Sequence, residues 1–115
     1  MIVKRFLFIL SGPPEDEFRS IESLDMVLTT AAFEQPAALL FLEEGVRRLL
    51  PESSERPGAP NVKLLDMYDI ETVWVERESL AERGVAEADL PKAATLVARA
   101  EIPALIASRD VVVNT

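Results

Sequence analysis

Short unbroken apolar runs alternate along the chain with stretches in which apolar residues recur every three or four positions. Residues 3–10 form the first run, apolar throughout once Lys4 and Arg5 are passed, and such a run predicts a parallel strand buried on both faces. A turn with Pro13 and Pro14 follows. From residue 16 to 34, Phe18, Ile21, Leu24, Val27, Leu28, Ala31 and Ala32 recur at helical spacing and predict one apolar helix face. Glu15, Asp16 and Glu17 stand at its start, where carboxylates favour the positive end of the helix dipole.

Residues 37–42 read as a second strand. Pro36 ahead of it suits a strand start or a sheet edge, because proline cannot donate to the ladder, and an edge position is expected. Residues 45–50 predict a short helix. Pro51, Pro57, Gly58 and Pro60 then mark a polar loop with little reason to pack, so mobility is expected there. Residues 62–68 predict a helix and 71–76 a third strand centred on Val73, Trp74 and Val75. Ser79-Leu80-Ala81-Glu82 has the form of a capping box at a helix start, with Gly84 able to end that helix. A fourth strand over 95–99, a helix with Pro103 in its first turn running to Ser108, and a fifth strand over 111–113 complete the pattern. Strand and helix alternate, which predicts a single α/β domain over residues 1–115, its parallel sheet covered by helices on both faces through right-handed crossovers.

Composition narrows the chemistry. The chain has 115 residues, enough for one ordinary core. It contains no cysteine, which removes disulfides, thiolate nucleophiles, thiolate metal ligands and persulfide carriers together. With no histidine either, the usual zinc sites and histidine-based triads are excluded. A net charge of −8 opposes direct binding of nucleic acid or anionic lipid. No apolar run reaches the ~20 residues needed to cross a bilayer. The basic, apolar N-terminus lacks a small-residue cleavage site and reads as a strand.

In open α/β sheets, ligands bind beyond the carboxyl ends of the strands. Those ends supply Ser11-Gly12-Pro13-Pro14, Glu43-Glu44-Gly45 and Glu76-Arg77-Glu78. The first lacks both the dinucleotide and the phosphate-loop glycine patterns, and its prolines lack backbone donors. Glu43, Glu76 and Glu78 are the candidate residues for acid–base work, set against the plainer reading of solvated loop ends. No Asp-x-Asp loop is present for a hard cation, so neither a metal nor a cofactor is expected. Trp74 and Tyr68 read as packing residues with a polar handle.

The segment Lys63-Leu64-Leu65-Asp66-Met67-Tyr68-Asp69-Ile70-Glu71-Thr72-Val73-Trp74-Val75, followed by Ser79-Leu80-Ala81-Glu82-Arg83-Gly84-Val85, resembles the signature stretch of the DsrF/TusC family. Phe6-Leu7-Phe8-Ile9-Leu10-Ser11, Leu40-Phe41-Leu42-Glu43-Glu44-Gly45-Val46 and Asp110-Val111-Val112-Val113 agree with it in the same order, while residues 51–61 match poorly. The resemblance implies a DsrEFH-like fold with a five-stranded parallel sheet of order 2-1-3-4-5. It also implies a cytoplasmic heterohexamer with DsrE/TusD-like and DsrH/TusB-like subunits, two copies of each. In such complexes the DsrE/TusD-like subunit carries sulfur as a cysteine persulfide near the carboxyl end of its third strand, for tRNA 2-thiouridine synthesis or for sulfur oxidation. Here that place holds Glu76, which cannot form a persulfide. The expectation is a non-catalytic subunit that supports the complex, touching a partner through the segment holding Glu76, Ser79 and Arg83. Two other readings stand beside it: a carboxylate enzyme built on the strand-end glutamates, and a homo-oligomeric binder of a small ligand.

Overall fold

A computed structural model describes residues 2–115. Five parallel strands form one sheet: β1 (Phe6–Leu10), β2 (Ala37–Phe41), β3 (Thr72–Glu76), β4 (Ala94–Val97) and β5 (Val111–Asn114). Four α-helices connect them: α1 (Glu17–Ala32), α2 (Val62–Met67), α3 (Arg77–Glu82) and α4 (Ile102–Ala107). A 3₁₀ segment, Glu43–Leu49, stands where the short helix over 45–50 is expected.

The sheet order is β4-β3-β2-β1-β5, not 2-1-3-4-5. The second strand is therefore interior, between β1 and β3, and the edges are β4 and β5. Pro36 misled because it sits one residue before the ladder starts. Its carbonyl accepts from the Phe6 amide at 2.8 Å, and pairing begins with Phe6 opposite Ala37, so no donor is missing from β2.

This order explains how the layers divide. From β1 to β4 the chain steps always in one direction, so right-handed crossovers place α1, the 3₁₀ segment, α2 and α3 on one face. Val27, Val46, Leu65 and Leu80 from those elements pack there on Phe8, Leu39, Phe41 and Val75. The last connection runs back across the whole sheet and puts α4 on the opposite face, where Ile102 packs with Leu7, Ile9, Ala38 and Leu40. Successive strand residues alternate between the two clusters, as the pleat requires.

Helix α1 is rotated relative to the expected apolar face. Ser20, Ser23 and Val27 are buried, whereas Phe18 is 76% and Ile21 41% exposed. The apolar positions span about half the circumference at ~100° per residue, so spacing alone did not choose the centre of the stripe. Small side chains at Ser20 and Ser23 allow the closest approach, and the buried side centres on them. Residues 51–61 form the expected, largely exposed loop, but two points in it pack. Ser53 is buried, and Gly58, at φ +78°, lies so close to α1 that a Cβ there would come within 2.5 Å of the Ile21 nitrogen. Ser20 leaves the room for that contact. No helix of the described residues is long and apolar enough to cross a membrane.

Candidate functional site

The carboxyl ends of β2, β3 and β4 converge on Glu76. It is the last residue of β3 and the residue immediately before α3, and it is 4% exposed. One oxygen, Oε1, accepts from the Ser79 hydroxyl at 2.5 Å and from Arg99 Nη2 at 2.8 Å. Ser79 in turn accepts from the Glu43 amide at 2.8 Å. Glu43 has φ +52°, a left-handed backbone in the turn leaving β2. One buried serine thus ties the end of β2 to the end of β3.

The helix that carries Ser79 begins earlier than its sequence suggests. Ser79 does not cap α3; the helix starts at Arg77, and Ser79 lies inside it with no exposed surface. Its hydroxyl is committed to Glu76, a tertiary partner that a local capping pattern cannot reveal. Reciprocal use of a glutamate does occur before α4, where Glu101 accepts from the Ala98 amide at 3.0 Å. The fourth strand ends at Val97 instead of continuing to residue 99, which frees Arg99 to turn back over the sheet.

Arg99 holds the site together. Its guanidinium bonds Glu76 and Glu82, and its amide donates to Glu78 Oε1 at 2.9 Å. From Glu82 the ion pairs continue through Arg83, Glu44 and Arg47 to Glu15 beyond β1, at separations of 3.6, 2.6, 2.9 and 2.6 Å. The chain of pairs crosses the carboxyl edge of the sheet from β4 to β1. Arg47 holds the Glu15 carboxyl below its ordinary range, Arg83 and then Arg47 do so for Glu44, and Arg99 for Glu82. For Glu76, burial pushes the pKa up, but the bonds from Arg99 and Ser79 outweigh it and the net shift is downward.

This arrangement bears on each expected residue. Glu43, Glu76 and Glu78 do not form a facing acid–base pair. Glu43 is exposed, Glu78 is half-buried against the Arg99 amide, and Glu76 is held ionised. A general acid at neutral pH needs a raised pKa, and Glu76 is shifted the other way. Of the expected contact residues, Glu76 and Ser79 are buried within the chain, and Arg83 is half-buried, bonded to Glu44 and to the Ser79 carbonyl. Sequence reasoning missed Arg99, Arg47 and Glu44. Its one usable signal was the excess of 20 acidic over 12 basic residues, which makes any arginine beside a strand end a candidate bridge. Trp74 packs against the α4 face with the Arg109 guanidinium 5.2 Å from its ring, and Tyr68 closes α2 against the other cluster, both as expected. Among the described residues, no group of three or more carboxylates is arranged to hold a metal ion.

Comparison with known proteins places this geometry. Protein TusC of Escherichia coli O157:H7 is 39% identical over 90 residues, covering 72% of this chain and 74% of that protein. A TusC homolog of Vibrio parahaemolyticus is 36% identical over 93 residues, covering 76% of this chain and 79% of that protein. The crystal structure of the ychN protein from E. coli superposes with a TM-score of 0.79 over 98% of this chain and 100% of that one, at 16% identity, and so shares the fold. The model of the DsrE/DsrF-like family matches residues 4–115, the whole sheet and the Glu76 cluster included. The arginine-bridged strand ends are thus the form that the carboxyl edge takes in this chain, which belongs to the DsrE/DsrF-like family.

Proposed function

We propose that this chain is a supporting subunit of a sulfur-relay complex and carries no sulfur itself. Its partners are a DsrE/TusD-like and a DsrH/TusB-like subunit, in a cytoplasmic heterohexamer with two copies of each. The DsrE/TusD-like partner holds the persulfide, and this chain shapes the surroundings. Similarity to the TusC proteins favours service in tRNA 2-thiouridine synthesis over sulfur oxidation.

The observation that carries the reading is what occupies the carboxyl end of β3. A buried carboxylate stands there, locked by Ser79 and Arg99, in a chain without a thiol. Such a cluster stiffens a loop and has no nucleophile to offer a sulfur donor. Glu76 and Ser79 then act from within, and Glu78, Glu82 and Arg83 of the same segment face the partner. Phe18 and Phe33, 76% and 70% exposed, offer further apolar area of the kind that obligate interfaces bury.

Co-expression with the two partner subunits, followed by native mass measurement, tests this. The expected product contains two copies of each chain. A chain that stays alone under those conditions, or that is itself recovered with a sulfane-sulfur adduct, overturns the proposal.

A further inference from the structure

Arg47 and Arg48 are neighbours in the 3₁₀ segment after β2, and their side chains part. Arg47 turns outward to Glu15 and Glu44. Arg48 turns inward and is 4% exposed, and its Nε and Nη2 are buried without a hydrogen-bond partner in the chain. Among the described residues no carboxylate forms an ion pair with it. A guanidinium withdrawn from water and left unpaired disfavours the state that buries it. Residues 51–61 do the burying: Ser53, Pro57 and Gly58 line the narrow space that Arg48 shares with Ser20 of α1.

Little holds that segment down. Ser53 is buried, Gly58 lies against the backbone of Ser20 and Ile21, and Arg56 pairs with Glu15 and Glu17 at 3.8 and 3.6 Å. Both ion pairs are well exposed, so each contributes little. The amides of Ser53, Ser54, Arg56 and Ala59 donate to carbonyls three residues back, all in turns that move with the segment. Among the described residues, no hydrogen bond links residues 52–60 to α1 or to the sheet. Lifting the segment therefore breaks few bonds and returns the Arg48 guanidinium to water.

We propose that residues 51–61 form a latch that opens while the rest of the fold stays closed, and that the stranded Arg48 guanidinium is the spring that opens it. Glu15 joins the latch to the carboxyl edge of the sheet, because one carboxylate binds both Arg56 of the latch and Arg47 of the chain of ion pairs. Opening leaves Glu15 to Arg47 alone. The device needs no partner subunit and is read on the isolated chain.

The chain has no cysteine, so one introduced thiol reports on one place. Ser53→Cys puts it under the latch, and Ala38→Cys, at a position with 0% exposure in β2, puts it inside the sheet. The folded chain is labelled with an aromatic disulfide that reacts with accessible thiols. Where reclosing outpaces labelling, the rate follows the population of the open state. Ser53→Cys is expected to label at least about tenfold faster than Ala38→Cys. Adding Arg48→Met, an apolar side chain in place of the stranded charge, should slow labelling at Ser53→Cys by about tenfold or more. If Arg48→Met does not fold, Arg48→Gln, which drops the charge and keeps a polar end, is expected to slow it as well. Equal labelling at the two positions, or labelling at Ser53→Cys that neither variant slows, overturns the proposal.

Discussion

Glu76 and Arg99 are joined at 2.8 Å with one dry end and one wet end: the carboxylate is 5% and the guanidinium 50% exposed. Removing the dry partner leaves Ser79 buried without its acceptor. Glu76→Ala is therefore expected to destabilise the chain by about 2 kcal/mol. Arg99→Ala should also destabilise it, by stranding a buried carboxylate. In a double-mutant cycle read by urea denaturation, the two changes are expected to be clearly non-additive.

Acid should unfold the protein through the same network. The carboxyls of Glu15, Glu44, Glu76 and Glu82 all lie below the ordinary glutamate range when folded. The unfolded chain then takes up protons first as pH falls. The stabilisation is complete above about pH 5 and is lost as pH drops through and below the ordinary glutamate range. Tm measured from pH 7 downward should stay level and then decline. Glu76→Gln should flatten that decline, since it removes one of the titrating groups.

Two glycines should respond very differently to a methyl group. On Gly45 a Cβ would stand 1.9 Å from the Leu10 carbonyl oxygen, where the turn after β2 crosses the end of β1. Gly45→Ala must push two backbones apart and is expected to cost about 3 kcal/mol. On Gly84 the new atom meets nothing within 4 Å, and only the left-handed backbone at φ +63° resists it. Gly84→Ala is expected to cost about 1 kcal/mol, readable in the same denaturation series.

The strand order predicts its own stability gradient. Leu40 is fully buried in the interior strand β2, so Leu40→Ala should cost about 2–5 kcal/mol. Val112, on the edge strand β5, is 39% exposed, and Val112→Ala should cost well under that. Amide exchange provides the second measurement, with β2 protected longest and β5 released earlier.

Strands, helices and their alternation were legible because each is written in local spacing. The runs around Leu39, Val75 and Val112 are strands within a residue or two of expectation, and the run around Phe8 is a strand that starts three residues later than expected. The missing thiol was legible too, since composition needs no geometry. The packing of Gly58 within segment 51–61 was not legible because its reason, the gap left by Ser20, lies on another element. Arg99 and Arg48 escaped notice for the same reason, as an arginine's partner, or its lack of one, is a property of the folded neighbourhood.

The sequence by itself determined an α/β chain with a buried parallel sheet, the absence of any thiol, and a kinship readable in the stretch from Lys63 to Val85. Tertiary structure alone decided which strand lies at the edge, which side of α1 is buried, and that Glu76 is a buried, bridged anion. Periodicity specifies that a face exists. Which face meets which neighbour depends on contacts between residues far apart in the chain, such as Glu43 with Ser79 and Glu76 with Arg99.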